Sequence, residues 1–501
     1  MEALIPLSVV IPLGVAFAIV VLAHIGPLKR TPPALAVGAI VATLAISLKL
    51  LGGDGRLSVF IGNWGGANTL GIEMACDGLS RLMLLTINMI ALAAIVFSIS
   101  YMRRFTRTWL FYALFLLMVA GMNGVVLAAD LFNLYVFLEM AAIASYALVG
   151  FGCEADELEA AFKYLVLGTI GSTLVLMGIA VLYSLTGQLN MAEMAAVLAK
   201  PQLARGPAVM LAAAGVLAGL GLKAAMVPFH AWLPDAHPAA PAPISAMLSG
   251  VVIKALGVYA MARVVFNVFG AAPQYATILV VLGTLSMVIG VFLAIGQWDF
   301  KRLLAYHSIS QMGYVVLALG VAAGVAASDR MVASVCLFGG LYHMFNHAAF
   351  KSLLFLSSGS IEQYAGSRQL KQLGGLTRRM PVTSFCCRIG ALSISGVPPF
   401  NGFFSKLIII VGLALAGRPL LAALAAFVAL MTLLSFVKVQ RYALEGEPAG
   451  HAATAQEAPL SMRVAMIALA VVCVAGGLAV IPLWRRILQP AAQVLLDGVW
   501  S

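Results

Sequence analysis

Charge is what this sequence has least of. Only 10% of its 501 residues are Asp, Glu, Lys or Arg, while 62% are hydrophobic. A soluble domain of this length does not hide so much apolar surface. Cysteine is sparse as well. Cys76, Cys153, Cys336, Cys386, Cys387 and Cys473 are scattered, without CxxC or metal-ligand spacing. That pattern argues against a disulfide framework and against bound iron–sulfur clusters. The six read instead as small apolar packing residues. There is no GxGxxG and no phosphate-binding loop, which excludes nucleotide-driven pumping by this chain alone. No cofactor and no metal is expected, and no catalytic site of its own is legible.

What the sequence has is apolar length. Its hydrophobic residues come in blocks of about 20, enough to cross hydrocarbon as a helix, and they lack the alternation of a barrel strand. The blocks lie near 3–24, 33–51, 78–101, 109–128, 131–151, 161–184, 207–227, 242–267, 273–297, 302–324, 332–358, 382–397, 401–417, 419–438 and 462–482. They make about 14 crossings if 382–397 and 401–417 are halves of one broken helix. The fold class expected is all-α membrane. The first block lacks a basic leader and is expected to remain as a helix. The stretches 52–77, 185–206, 361–380 and 442–461 are expected to be loops with room for short surface helices. The tail from Leu483 through Trp484, Arg485, Arg486 and Ile487 to Leu488 is amphipathic and suits the membrane interface.

The net charge of +11 does not point to nucleic acid, because basic excess in a membrane protein collects in cytoplasmic loops. Lys29, Arg30, Arg103, Arg104, Arg107, Lys301, Arg302, Arg368, Lys371, Arg378, Arg379 and Arg441 fall in alternate loops. This predicts a multi-pass protein of the inner (plasma) membrane with both termini on the non-cytoplasmic side.

Three short signatures recur in the same order. Ala160-Ala161-Phe162-Lys163 returns as Ala348-Ala349-Phe350-Lys351. Asp130 precedes the span with Glu139, as Asp299 precedes the span with His307. Val227-Pro228-Phe229 returns as Val397-Pro398-Pro399-Phe400. Proline-interrupted segments at matching places in two halves are the pattern of inverted-repeat transporters. The expected division is 1–105 as N-terminal helices, 106–440 as a core of two repeats (about 106–268 and 269–440), and 441–501 as a last helix and tail. Pro228, Pro398 and Pro399 are the expected helix breaks, since proline removes a donor and clashes with the preceding turn.

Ionisable groups inside apolar spans are costly and mark ion pathways. Glu139, Lys163, Lys223, Lys254, Lys351 and Lys406 all lie in or at the edge of such spans. Snorkelling accounts for Lys163 but not for the other lysines, which apolar residues flank on both sides. His343, His347 and Lys351 are spaced i, i+4, i+8 and share one helix face. A metal held by the two histidines is the rival reading; it lacks a third ligand, and the lysine repels a cation. His307 completes the set, with Tyr306, Ser308, Ser310, Gln311 and Ser405 as lining candidates. Buried lysine gives up its proton readily and histidine passes protons through either nitrogen, so the string reads as a proton path. A quinone-reducing subunit is the rival from another class, and no cofactor motif supports it.

At these residues the chain resembles the antiporter-like proton-conducting subunits shared by respiratory complex I, Mrp-type sodium/proton antiporters and membrane-bound energy-converting hydrogenases. The resemblance is carried by LKAAMVPFHAWLPDAHPAAPAPISAMLSGVVIKALGVY, DFKRLLAYHSISQMGY, LYHMFNHAAFKSLLFL and SGVPPFNGFFSKLIII. It implies 14 core helices, two inverted five-helix repeats and discontinuous seventh and twelfth helices. It implies that Glu139 and Lys223 are the gating pair, that Lys254 lies on the central axis, and that His343, His347 and Lys351 are the eleventh-helix groups. Lys406 then stands at the twelfth-helix terminal position, where one complex I subunit has Glu. His307 stands where most complex I members have Ser, which leans toward the Mrp or hydrogenase branch. The partners implied are the lipid bilayer and other membrane subunits of such a complex. The cargo implied is protons, alone or exchanged for sodium.

Overall fold

The computed structural model describes residues 1–25, 30–53, 55–64, 70–204, 206–447 and 450–498. Lys29 lies outside the described residues, as do the side chains of Leu483, Trp484 and Arg485. Among the described residues, eleven helices are long and apolar enough to cross a membrane. The chain is therefore a mostly helical, multi-pass membrane protein. Two shorter apolar helices, Pro207–Lys223 and Asn401–Leu415, each border a break. The longest helix is Arg330–Ala365, 36 residues, and His343, His347 and Lys351 are buried along it.

Acidic caps start several of these helices. The carboxylates of Asp77, Asp130, Asp299 and Asp329 accept from the backbone N–H groups of Ser80, Asn133, Arg302 and Val332. Each capped donor would otherwise have no partner in the first helical turn.

Burial ranks the helices. The span Ala242–Val268 is wholly enclosed, and Gly78–Arg104 and Phe300–Val325 are mostly so. The outer helices leave long apolar side chains such as Phe17, Leu211, Leu420 and Phe427 exposed, as a lipid-facing surface requires. The central span is irregular. It contains three π-helical stretches, Leu248–Val252, Lys254–Tyr259 and Val264–Val268. Such turns are rare and gather at functional sites.

The two breaks fall at the expected prolines. The helix Pro207–Lys223 ends at Ala224–Ala225, where Ala225 takes a φ of 54°, and the helix resumes at Leu233–Ala239. The helix Pro381–Ser395 ends on Gly396 with a φ of 76°, and Asn401–Leu415 follows. The Val227-Pro228 and Pro398-Pro399 bonds are cis. Gly402 lets the second half lie against the first, because a Cβ there would collide with the Ser393 carbonyl.

The two ends of the bundle are tied in similar ways. Asp130 bridges to Asn190 at one end, and Asp299 bridges to Gln369 at the other. The first bridge sits beside an antiparallel hairpin, Leu57–Trp64 with Leu70–Cys76, whose Glu73 carbonyl accepts from Ala129 N–H and whose Glu73 side chain accepts from Asn190. The hairpin replaces the surface helices expected in 52–77. Alternating Leu57, Val59 and Ile61 opposite Cys76, Met74 and Ile72 suit a pleated ribbon. Short helices do occur in the other polar stretches, at Met191–Leu198 and Leu376–Arg379.

One further expectation is corrected. Cys153 is exposed with a φ of 60°, so it is a turn residue and not a packing residue. The other five are buried, and burial pushes the Cys76 thiol up to about 12. Beyond the amphipathic segment expected at the membrane interface, the C-terminal tail packs onto the bundle. Its helix Gln489–Leu496 packs on Gly78–Tyr101 and on Arg330–Ala365, and Asn267 donates to the carbonyls of Val494 and Gly498.

A buried ion pair closes this end of the bundle. Arg263 Nη2 lies 2.6 Å from Asp77 Oδ1 and 3.1 Å from Ser80 Oγ, and its Nε donates to the Tyr259 hydroxyl at 2.9 Å. Breaking a buried pair strands a charge and costs about 3–5 kcal/mol. Arg263→Ala is therefore expected to destabilise the protein by about 3–5 kcal/mol in detergent-solubilised thermal unfolding. A loss below about 1 kcal/mol would contradict this account of the junction.

Candidate functional site

The expected ionisable residues separate into a pair, a string and a vestibule. The pair is Glu139 and Lys223. Glu139 lies on Leu131–Val149, the helix capped by Asp130, and Lys223 is the last residue of Pro207–Lys223, at the first break. Lys223 Nζ is 3.2 Å from Glu139 Oε1 and donates to the Tyr146 hydroxyl at 3.0 Å. Ser172 Oγ donates to the same carboxylate oxygen. Lys223 is almost fully buried, whereas the Glu139 side chain keeps 22% of its surface open. That opening is on the outer face of its helix, between the exposed Phe132, Val136 and Ile143.

The string runs through the enclosed middle. Lys254, His307, His343, His347 and Lys351 are fully buried, and Lys406 nearly so. Lys254 Nζ donates to the Ser249 carbonyl at 2.6 Å within the π-helical stretch, and Ser249 Oγ pairs with Ser308 Oγ at 2.7 Å. His343 bonds Ser405 Oγ through Nδ1 at 2.9 Å and Gln311 Oε1 through Nε2 at 3.2 Å. His347 follows with 6.5 Å between ring centroids. Lys406 Nζ donates to the Ile394 carbonyl at 2.6 Å, in the last turn before the second break, and stands 5.4 Å from the Tyr314 ring centroid. Lys351 Nζ and both His347 nitrogens have no protein hydrogen-bond partner among the described residues. Buried polar groups without protein partners are ordinarily satisfied by enclosed water.

His307 lies to one side of the string. Its Nε2 meets Ser435 Oγ at 2.8 Å and its ring leans on Phe436. It is still near enough to feel the charges of Lys351, Lys406 and Lys438. Of the lining candidates, Ser308, Gln311 and Ser405 touch the string. Ser310 bonds the Met287 carbonyl instead, and Tyr306 is only half-buried. No cluster of three or more His, Cys, Asp or Glu side chains able to hold a metal occurs among the described residues.

The vestibule is a charged cavity of about 740 Å³ at the Asp299–Gln369 end, lined by Arg104, Glu157, Asp235, Lys301, Glu362 and Arg368 among others. Lys163 belongs here, as expected of an edge lysine, paired with Glu159 at 2.8 Å and Asp235 at 3.0 Å. Asp235 also meets Arg302 at 3.2 Å. At the mouth, burial alone would lower the Arg368 guanidinium, but Asp299 and Glu362 outweigh it and raise it. Lys301 Nζ bridges inward, to Glu362 at 2.7 Å and to the Ala240 carbonyl at 3.2 Å.

One residue was missed by the sequence reading. His237 is fully buried just behind the vestibule, its ring stacked 4.5 Å from that of Phe355. The same Phe355 ring lies 5.7 Å from Lys351 Nζ, and the residue after His237, Pro238, lines the vestibule, so His237 sits between the two. The available signal was a second histidine in the proline-rich stretch PFHAWLPDAHP, at a helix break. The pair adjoins the string's central helix, since Lys254–Tyr259 packs on Pro207–Lys223 and a Cβ on Gly257 would collide with Ala224.

Comparison with known proteins places this geometry. The family described as NADH:quinone oxidoreductase/Mrp antiporter, TM matches residues 128–432, and complex I chain 5 N-terminus matches residues 64–112. NADH-quinone oxidoreductase subunit N of Desulforudis audaxviator is 37% identical over 88% of this chain and 87% of that protein. A Na(+)/H(+) antiporter subunit of Alkalihalophilus pseudofirmus is 31% identical over 99% of this chain and 98% of that protein. Among solved structures, a chain of the Mrp complex from Dietzia sp. DQ12-45-1b superposes with a TM-score of 0.89 at 27% identity, covering 100% of this chain and 99% of that one.

The hydrogen bonds separate two kinds of buried lysine. Lys351→Met leaves no protein acceptor orphaned and should not lower the unfolding temperature in detergent. Lys406→Met strands the Ile394 carbonyl and should cost about 1–3 kcal/mol in the same measurement. Equal losses in the two variants would show that Lys406 does not hold the break together.

Proposed function

The chain belongs to the NADH:quinone oxidoreductase/Mrp antiporter family of membrane subunits, and from that premise we propose that it is an ion-translocating subunit of a multi-subunit complex. It conducts protons along the buried groups, with or without exchange for sodium. The observation that carries the reading is the enclosed string itself, Lys254, His347, His343 and Lys406, joined to a charged vestibule by His237. A row of buried groups that have few protein partners serves no packing purpose at the cost such burial exacts.

In this reading the discontinuous helices are the seventh and twelfth of 14 crossings. The cores 106–268 and 269–440 are inverted repeats, flanked by 1–105 and 441–501. Support comes from the bridges Asp130–Asn190 and Asp299–Gln369, which use equivalent caps at opposite ends. Protons reach Lys301 and His237 from the vestibule and pass by water to Lys254, Lys351 and His347, then through His343 and Ser405 toward Lys406. His307 tunes the string from the side. Glu139 and Lys223 gate it: when the carboxylate is charged the ammonium stays with it, and when the carboxylate takes a proton the lysine is freed.

A second reading is a proton pump that draws its energy from redox chemistry elsewhere in a quinone-reducing complex. It rests on the 37% identity to the NADH-quinone oxidoreductase relative. The full-length match to a sodium/proton antiporter relative and to a chain of the Mrp complex favours the first. The membrane is the plasma membrane, with the basic vestibule end in the cytoplasm and both termini outside.

Glu139→Gln and Lys223→Ala, each expressed with the companion subunits, should abolish pH-gradient formation in vesicles while the complex still assembles on native gels. Parent-like gradients from both variants would refute the gating role. Orientation has its own test. Cys153, the one exposed cysteine, follows Phe151 and Gly152 of the vestibule lining, so a membrane-impermeant maleimide should label it in inside-out vesicles only. Labelling in right-side-out vesicles alone would reverse the topology.

A further inference from the structure

Lys223 has two acceptors, and only one of them carries charge. Its Nζ lies 3.2 Å from Glu139 Oε1 and 3.0 Å from the Tyr146 hydroxyl, with the Tyr146 ring centroid at 5.7 Å. The space for that hydroxyl is made by Gly168, where any Cβ would collide with it. Ser172 has a matching choice. Its single hydroxyl proton has two acceptors, Glu139 Oε1 and its own helix's Gly168 carbonyl at 3.0 Å. Both neighbours of the carboxylate thus have somewhere else to bond.

The Tyr146 ring is held by a run of aromatics. Tyr164 meets it edge-on at 4.5 Å, steadied by Ser145 Oγ at 3.0 Å from the Tyr164 hydroxyl. Trp232 stacks flat on Tyr164 at 4.0 Å and 5°. Trp232 is part of the broken segment, and its indole N–H donates at 3.0 Å to the carbonyl of Leu222, the residue before Lys223. The run therefore starts and ends at the two sides of Lys223.

We propose that Tyr146 is a positioning residue for Lys223. Its hydroxyl is the uncharged second seat of the ammonium, already bonded beside Glu139 and kept when Glu139 is protonated, and the Tyr146–Tyr164–Trp232 stack ties that seat to the broken helix. The inference rests on the Glu139–Lys223 gate proposed above. A lone carboxylate partner in a water-poor interior would hold the lysine too firmly to let go, because separating unscreened charges is costly there. A neutral acceptor beside it keeps one hydrogen bond in the separated state. The groups facing Lys223 are Glu139 and Tyr146, with Tyr164 behind Tyr146. The π-helical stretch Lys254–Tyr259 also packs on this helix, but the Lys254 amine is bonded to the Ser249 carbonyl.

The test uses the chain in its assembled complex, in inside-out vesicles, with acridine-orange quenching as the readout across a pH series. Tyr146→Phe keeps the ring and removes the seat. The initial rate should fall about tenfold, the size of one lost hydrogen bond from a charged donor. The pH profile should change with it, because Lys223 loses its uncharged acceptor. Where Phe impairs assembly, 3-fluorotyrosine at 146 changes the hydroxyl's polarity at nearly constant size and should shift the profile while assembly holds. A parent-like rate and profile in Tyr146→Phe, or no shift with fluorotyrosine in the assembled complex, overturns the seat. If Glu139→Gln is inactive in the same series, the gate survives that failure; if Glu139→Gln also transports normally, gate and seat fall together.

Discussion

A helix broken inside hydrocarbon leaves carbonyl oxygens that no water-filled exterior can reach, and everything at the centre of this molecule follows from how those oxygens are answered. At the first break the Leu222 carbonyl accepts from the Trp232 indole N–H as well as from Ala225 N–H; at the second the Ile394 carbonyl accepts from the Lys406 ammonium itself. Backbone at this depth persists only where protein or enclosed water satisfies it. The same bonds place a lysine at each break. Structural repair and charge placement are thus one arrangement, which is why Lys223 and Lys406 could not be moved along their helices without undoing the breaks.

Between the breaks the chain encloses more titratable groups than it pairs. Arg263 and Asp77 show what a purely structural buried charge looks like here: a short ion pair, a capped helix and the Ser80 and Tyr259 hydroxyls bonded to the guanidinium. Lys351 and His347 have none of that among the described residues. The contrast within one molecule separates charges that hold the bundle together from buried groups that hold nothing. The vestibule shows a third condition. There Asp235 is shared between Lys163 and Arg302, so charge is balanced at the surface rather than withheld from water.

Much of this was legible in the sequence, because the costs are local. Apolar length marked the helices to within a few residues, and proline marked both breaks. Charge in apolar surroundings marked Glu139, Lys223, Lys254, Lys351 and Lys406. Flanking residues also separated the two lysines of the repeated Ala-Ala-Phe-Lys signature: Lys163, at the edge of its span, is ion-paired at the vestibule, and Lys351, with apolar residues on both sides, is enclosed. What escaped depended on tertiary neighbours. The strands Leu57–Trp64 and Leu70–Cys76 fall in a stretch read as loop because their alternation is short. His237 stands in a proline-rich stretch whose local pattern does not show that the ring stacks inward on Phe355.

Glu139 is the member of its ion pair with an opening to the outside, set among Phe132, Val136 and Ile143 on a face that lipid or a neighbour must cover. Lys223 behind it is almost wholly enclosed. The buried ammonium is therefore a single ion pair away from whatever covers the wall of the protein.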